Sequence, residues 1–133
     1  MYRYYIFDVK TKWKNEENLY RLLKTLYTLN LKYINYGELL YNQICNPIDI
    51  NYMQNCLEDY NAKLVDKKNF ICLENELTVV IIKYSRVIIV SNTLYPDIFL
   101  KFKEANKNLF VCNFKQDTFF YLTTTLEKVK SLL

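Results

Sequence analysis

The chain alternates between two hydrophobic rhythms, and the switches between them outline its elements. Residues 2–9, Tyr-Arg-Tyr-Tyr-Ile-Phe-Asp-Val, are aromatic and β-branched and predict a strand. Polar residues 10–14 follow, with Trp13 among them. From there Leu19, Leu22, Leu23 and Leu26 recur every three to four residues while Arg21 and Lys24 fall off the stripe, which predicts an amphipathic helix over residues 16–29. Asn15 is its expected cap, and Glu16 and Glu17 suit the positive end of the helix dipole. Asn30, Asn35 and Gly37 read as breaks, with a short helix over 38–44. Asn46-Pro47 predicts a turn, because the residue before proline avoids the helical region. Asp49 then caps a second helix, whose Ile50, Met53, Leu57 and Tyr60 share one face.

Beyond a charged loop, "AKLVDKKN" (62–69), the rhythm changes to strands at 69–74, 77–84 and 86–91, most simply an antiparallel meander. Its centre is "VVIIKYSRVIIV" (79–90), two β-branched runs around a polar turn. Residues 77–84 show so little polar alternation that both faces are expected to be covered. Pro96 opens a helix with Ile98, Phe99, Phe102 and Ala105 on its apolar face. Strands at 109–114 and 119–123 pair across Lys115-Gln116-Asp117, and residues 124–133 are a short helix or a frayed tail. The order β, helices, meander, helix, strand pair predicts an α+β fold. It is one domain over residues 1–133, with a mostly antiparallel sheet packed against helices.

Composition removes more functions than it offers. A single glycine leaves no glycine-rich phosphate loop, and the absence of histidine removes the commonest general base and the usual triads. The carboxylate pairs Glu16/Glu17, Glu58/Asp59 and Glu74/Glu76 sit at a helix start, a helix end and a strand turn, where solvated acids are ordinary. Cys45, Cys56, Cys72 and Cys112 include no C-x-x-C pair for zinc. Cys45 and Cys56 are the only candidates for a reactive thiol, with no histidine to activate either. Without a secretory signal the cysteines read as reduced thiols of a cytoplasmic protein. A net charge of +4, carried mostly by lysine, is a thin basic balance for a duplex-DNA binder. The abundance of Lys, Asn, Tyr and Ile follows A/T-rich codons, which discounts arguments from their numbers.

What remains is binding. Trp13, the only tryptophan, either folds back onto the core or anchors a partner; Tyr20 lies at the edge of the first helix's stripe, and Tyr41 and Gln43 precede the Pro47 turn with the same ambiguity. Lys63, Lys67 and Lys68 among aromatics admit a small single-stranded nucleic-acid binder, or a solvated loop. An immunity or antitoxin-like domain is a third class.

Four blocks also resemble one family, the sporulation inhibitor of replication, SirA. "RYYIFDVK" looks like its opening strand, and "EENLYRLLKTLY" resembles its first helix. "NQICNPIDINYMQNCL" resembles its Pro-Ile segment and second helix. "VVIIKYSRVIIV" with "IFLKFKEANKNLFVCNFKQDTFFYL" resemble its hairpin, helix and closing strands. In place of the family's aromatic-Gly stretch before the first helix stands "KNEENLY". The resemblance implies a non-enzymatic cytoplasmic protein that binds the N-terminal domain of the replication initiator DnaA and blocks initiation during sporulation. It implies no cofactor, metal, membrane, small-molecule substrate or direct nucleic-acid contact. It places partner contacts at Trp13, Glu17, Tyr20, Tyr41 and Gln43, and makes the 79–90 hairpin scaffold.

Overall fold

The computed structural model describes residues 1–32, 41–124 and 128. Among them lie β1 (Tyr2–Val9), a 3-10 turn (Thr11–Trp13), α1 (Leu19–Lys32), α2 (41–44), β2 (Cys45–Asn46) and α3 (Ile50–Glu58). There follow β3 (Lys63–Val65), β4 (Lys68–Leu73), β5 (Glu76–Ile82), β6 (Val87–Ser91), α4 (Ile98–Phe102), β7 (Leu109–Asn113) and β8 (Thr118–Tyr121). The strands form one sheet, ordered β3-β4-β5-β6-β1-β7-β8 with β2 on β1, and every pairing is antiparallel. The fold is α+β, as the pattern of elements predicts.

The first strand is central. It pairs with β6 through Tyr2–Ile6 and with β7 through Tyr5–Asp8, while β2 extends the pairing at Asp8 and Val9. A strand with neighbours on both edges and helices on both faces has little use for polar residues. Tyr4 and Ile6 enter one core with Met53 and Leu57 of α3 and Phe99 and Phe102 of α4. Tyr5 and Phe7 enter a second core with Leu19, Leu23 and Leu26 of α1 and Tyr41 and Ile44 of α2. The sheet is thus the middle layer of three. Fully buried polar side chains inside it find partners: Thr78 bonds Ser91 across β5–β6 at 2.8 Å, and the Gln54 amide donates to Asn69 at 2.9 Å.

Several expectations shift. Helix α1 starts three residues later than its apolar stripe predicts and continues through Asn30. Asn15 is not its cap: it sits at φ 67°, and its N–H donates to the Tyr121 hydroxyl at 2.8 Å. One further turn, closed by the Leu19 N–H to the Glu16 carbonyl at 3.1 Å, leads into the helix, where the Asn18 carbonyl accepts the Leu22 N–H. Asp49 does cap α3, accepting from the Tyr52 N–H at 3.1 Å. The buried stripe of α3, however, is Met53, Cys56 and Leu57; Ile50 is exposed and Tyr60 lies past the helix end. Asn46 before Pro47 is extended, as proline requires, but it pairs with β1.

The segment 62–69 is not a loop. Asp66 and Lys67, at φ 50° and 66°, make a two-residue turn between β3 and β4, with Val65 opposite Lys68. Left-handed backbone at both central positions suits the twist of paired strands, and neither residue is the glycine that usually marks such a turn. Strand β5 is covered fully on only one face: Thr78 and Val80 are buried, Val79 and Ile81 half-buried, and Leu77 exposed. The breaks at Asn35 and Gly37, the start of the 38–44 helix, and most of 124–133 lie outside the described residues.

Candidate functional site: an aromatic groove at the β8 edge

The last strand, β8, ends the sheet, and the turn entering α1 is fastened to it. After β1 the 3-10 turn forms through the Trp13 N–H to the Lys10 carbonyl at 2.8 Å and the Lys14 N–H to the Thr11 carbonyl at 3.1 Å. The Lys14 ammonium lies 5.8 Å from the centre of the Tyr121 ring, beside the Asn15 contact to the same residue. One residue into α1, Tyr20 reaches the β7–β8 hairpin. Its ring stacks on Phe119 (centroids 4.6 Å apart, planes 16° apart) and on Phe114 at 5.8 Å. Its hydroxyl donates to the Asp117 carboxylate at 2.8 Å, where Lys24 also binds. Those two bonds hold the Asp117 carboxyl below its ordinary range, Lys24 contributing most; burial pushes the Tyr20 hydroxyl up, and the Asp117 bond adds to it. Asp117 itself is left-handed at φ 53°, a conformation its short polar side chain tolerates.

Between these elements runs a groove of about 230 Å³. Leu19, Tyr20, Phe110, Phe119 and Tyr121 form its walls, and Glu16 and Glu17 stand exposed at its rim. Phe119 is 46% exposed although rings contact it on two sides, Tyr20 and Phe110. A half-exposed ring that its neighbours already hold in place can contact a partner with little further loss of side-chain freedom. The flanking carboxylates fit a partner surface with a cation beside apolar side chains.

The residues expected from sequence divide. Glu17 and Tyr20 are brought into this groove. Trp13 lies just before the Asn15 anchor and is half-buried on the α1-side core, its indole N–H enclosed without an acceptor among the described residues. Gln43 is exposed on α2 and is not part of the groove. Tyr41 is core: 1% exposed and stacked on Phe7 at 5.6 Å, it offers no surface to a partner. Its place is set by α2 packing onto the face of β1 that carries Phe7.

Phe119, Tyr121 and Asp117 were not singled out from the sequence. Period-two spacing in "TFFY" does put Phe119 and Tyr121 on one face, but it cannot reveal that α1 leaves that face partly open.

Cys45 and Cys56, the candidate thiols, are buried, and burial raises both, Cys45 up to about 12. No group of three or more Asp, Glu or Cys among the described residues is placed to hold a metal ion. No helix among them is long and apolar enough to cross a membrane. The lysines of 63–68 lie on the β3–β4 hairpin, at the opposite end of the sheet from β8. No protein-family model matches this chain, and no curated protein matches it.

Proposed function

We propose that this protein is a non-enzymatic inhibitor of replication initiation. It acts in the cytoplasm by docking on the N-terminal domain of DnaA through the groove between the start of α1 and β8. The observation that carries this reading is Phe119, an exposed ring stacked on Tyr20 and bordered by Glu16 and Glu17. Aromatic anchors in a pre-ordered setting supply most of the energy of small interfaces. The order of sequence blocks supports the choice of partner. The 79–90 hairpin serves as scaffold, with Val80, Val87, Ile88 and Ile89 in the core and Lys83 and Tyr84 of its turn exposed.

The test is capture of DnaA from the same organism, full-length and lacking its N-terminal domain, by the purified protein. Capture of the full-length form alone is expected. Phe119→Ala should then weaken binding about tenfold, a loss of roughly 1.4 kcal/mol, with folding followed by urea melts. Capture of neither form, or equal capture of both, would refute the assignment.

A further inference from the structure

A second concavity, of about 580 Å³, opens on the other side of the Tyr20–Lys24–Asp117 contact, between α1, the start of β1 and the β7–β8 turn. Its chemistry differs from that of the groove. Arg3, Lys24 and Lys115 line it, and its described lining residues include no carboxylate. Asp117 lies alongside, already engaged by Lys24 and Tyr20. Lys115 is exposed, and among the described residues the Arg3 guanidinium makes only a long 3.4 Å contact to the Tyr5 hydroxyl. Both cations therefore remain open to an anion.

The wall between the cations is aromatic. Tyr27 stacks on Phe114 with centroids 4.8 Å apart and planes 18° apart, and Tyr5 sits against both. Tyr27 accepts from the Tyr5 hydroxyl at 3.4 Å and keeps its own proton for another acceptor. At the far rim, the Gln116 amide oxygen accepts from Asn113 at 3.1 Å, which leaves the Gln116 NH₂ to donate elsewhere. A bare anion would use the cations and ignore the rings; a neutral aromatic would do the reverse. The volume falls within the range of small-molecule sites, where apolar walls and a few placed polar groups fix one ligand.

We infer that this cleft binds a phosphorylated aromatic small molecule of the nucleoside monophosphate class. The phosphate lies between Arg3 and Lys115, and the ring lies against Tyr27, which the buried Phe114 backs. The inference rests on the cleft alone and is independent of the DnaA reading.

The test is calorimetric titration of the full chain with AMP, GMP, CMP and UMP, beside adenosine and inorganic phosphate. At least one nucleotide should bind saturably, and adenosine and phosphate should each bind about tenfold more weakly or worse, since each meets half of the site. The pair Arg3→Ala/Lys115→Ala, both exposed positions, should lower affinity by about tenfold or more with the fold intact, whereas Lys63→Ala/Lys68→Ala on the distant hairpin should not. Three results would overturn the inference. One is no saturable binding of any of the four nucleotides. Another is phosphate binding as tightly as the best nucleotide. The last is equal losses in the two double variants, which would mark diffuse charge attraction.

Discussion

Replacing Tyr41 by phenylalanine deletes one oxygen from the core. Tyr41 is 1% exposed, and its hydroxyl is enclosed with no hydrogen-bond partner among the described residues. Burial raises that hydroxyl's pKa, with the nearby Arg86 guanidinium pulling the other way. A buried polar group left unpaired costs roughly 1–3 kcal/mol. Its removal leaves a void of roughly 15 Å³, which at about 24 cal/mol per Å³ returns about 0.4 kcal/mol. The ring contacts survive: the stack on Phe7 and the approach of Arg86, 6.0 Å from the ring centre, need no hydroxyl. Tyr41→Phe should therefore be more stable by about 1 kcal/mol, a rise in Tm of roughly 3–5 °C for a chain of this length. Urea melts should move to a higher midpoint with an unchanged slope. Because the ring lies inside, capture of DnaA should not change. A variant less stable than the parent would mean that the hydroxyl makes a bond, and the reasoning would fail.

Three further predictions concern chemistry and backbone. At pH 8 a thiol-reactive dye should label only Cys72 in the native protein, because Cys45, Cys56 and Cys112 are buried and their thiols raised; all four should react in denaturant, and a second fast native thiol would contradict this. Lys67→Gly should stabilise the protein by about 0.5–1 kcal/mol, since a side chain at φ 66° costs what glycine avoids; a lower urea midpoint would refute the turn geometry. Asp117→Asn keeps a residue that tolerates φ 53° but loses the carboxylate. The folded pKa of Asp117 is depressed, so its contribution is present above the unfolded value of about 4 and is lost as pH falls through the folded one. The Tm difference between parent and variant should shrink over that acid window, and a difference that does not vary with pH would refute the pairing.

The extent of the candidate site legible in sequence follows from what each signal measures. Helical spacing put Tyr20 at the edge of a stripe, and that edge is where it lies, half-buried on α1. The same kind of signal left Tyr41 ambiguous, because a short segment near a proline carries too little periodicity to orient one ring. The partners of Tyr20 are some hundred residues away in sequence, on the β7–β8 hairpin. No local pattern encodes that pairing; it arises because β7 docks against β1 and carries β8 under α1.

By itself, the sequence determined most of the strands and helices and the α+β class, because apolar period and turn residues act over a few neighbouring positions; β2 and β3, read as a turn and a charged loop, were too short and too polar to show. It also determined which residue types no site in the chain can use, histidine among them, since a residue type that is absent cannot be supplied by folding. Tertiary structure decided which apolar residues became core and which stayed exposed. Tyr41 and Phe119 are alike in sequence, yet one is sealed between β1 and α2 while the other stands open at a sheet edge. It also decided that Arg3, Tyr27 and Lys115 would face one cleft. Burial and juxtaposition depend on which layers meet, and strand order, a property of the whole chain, sets that.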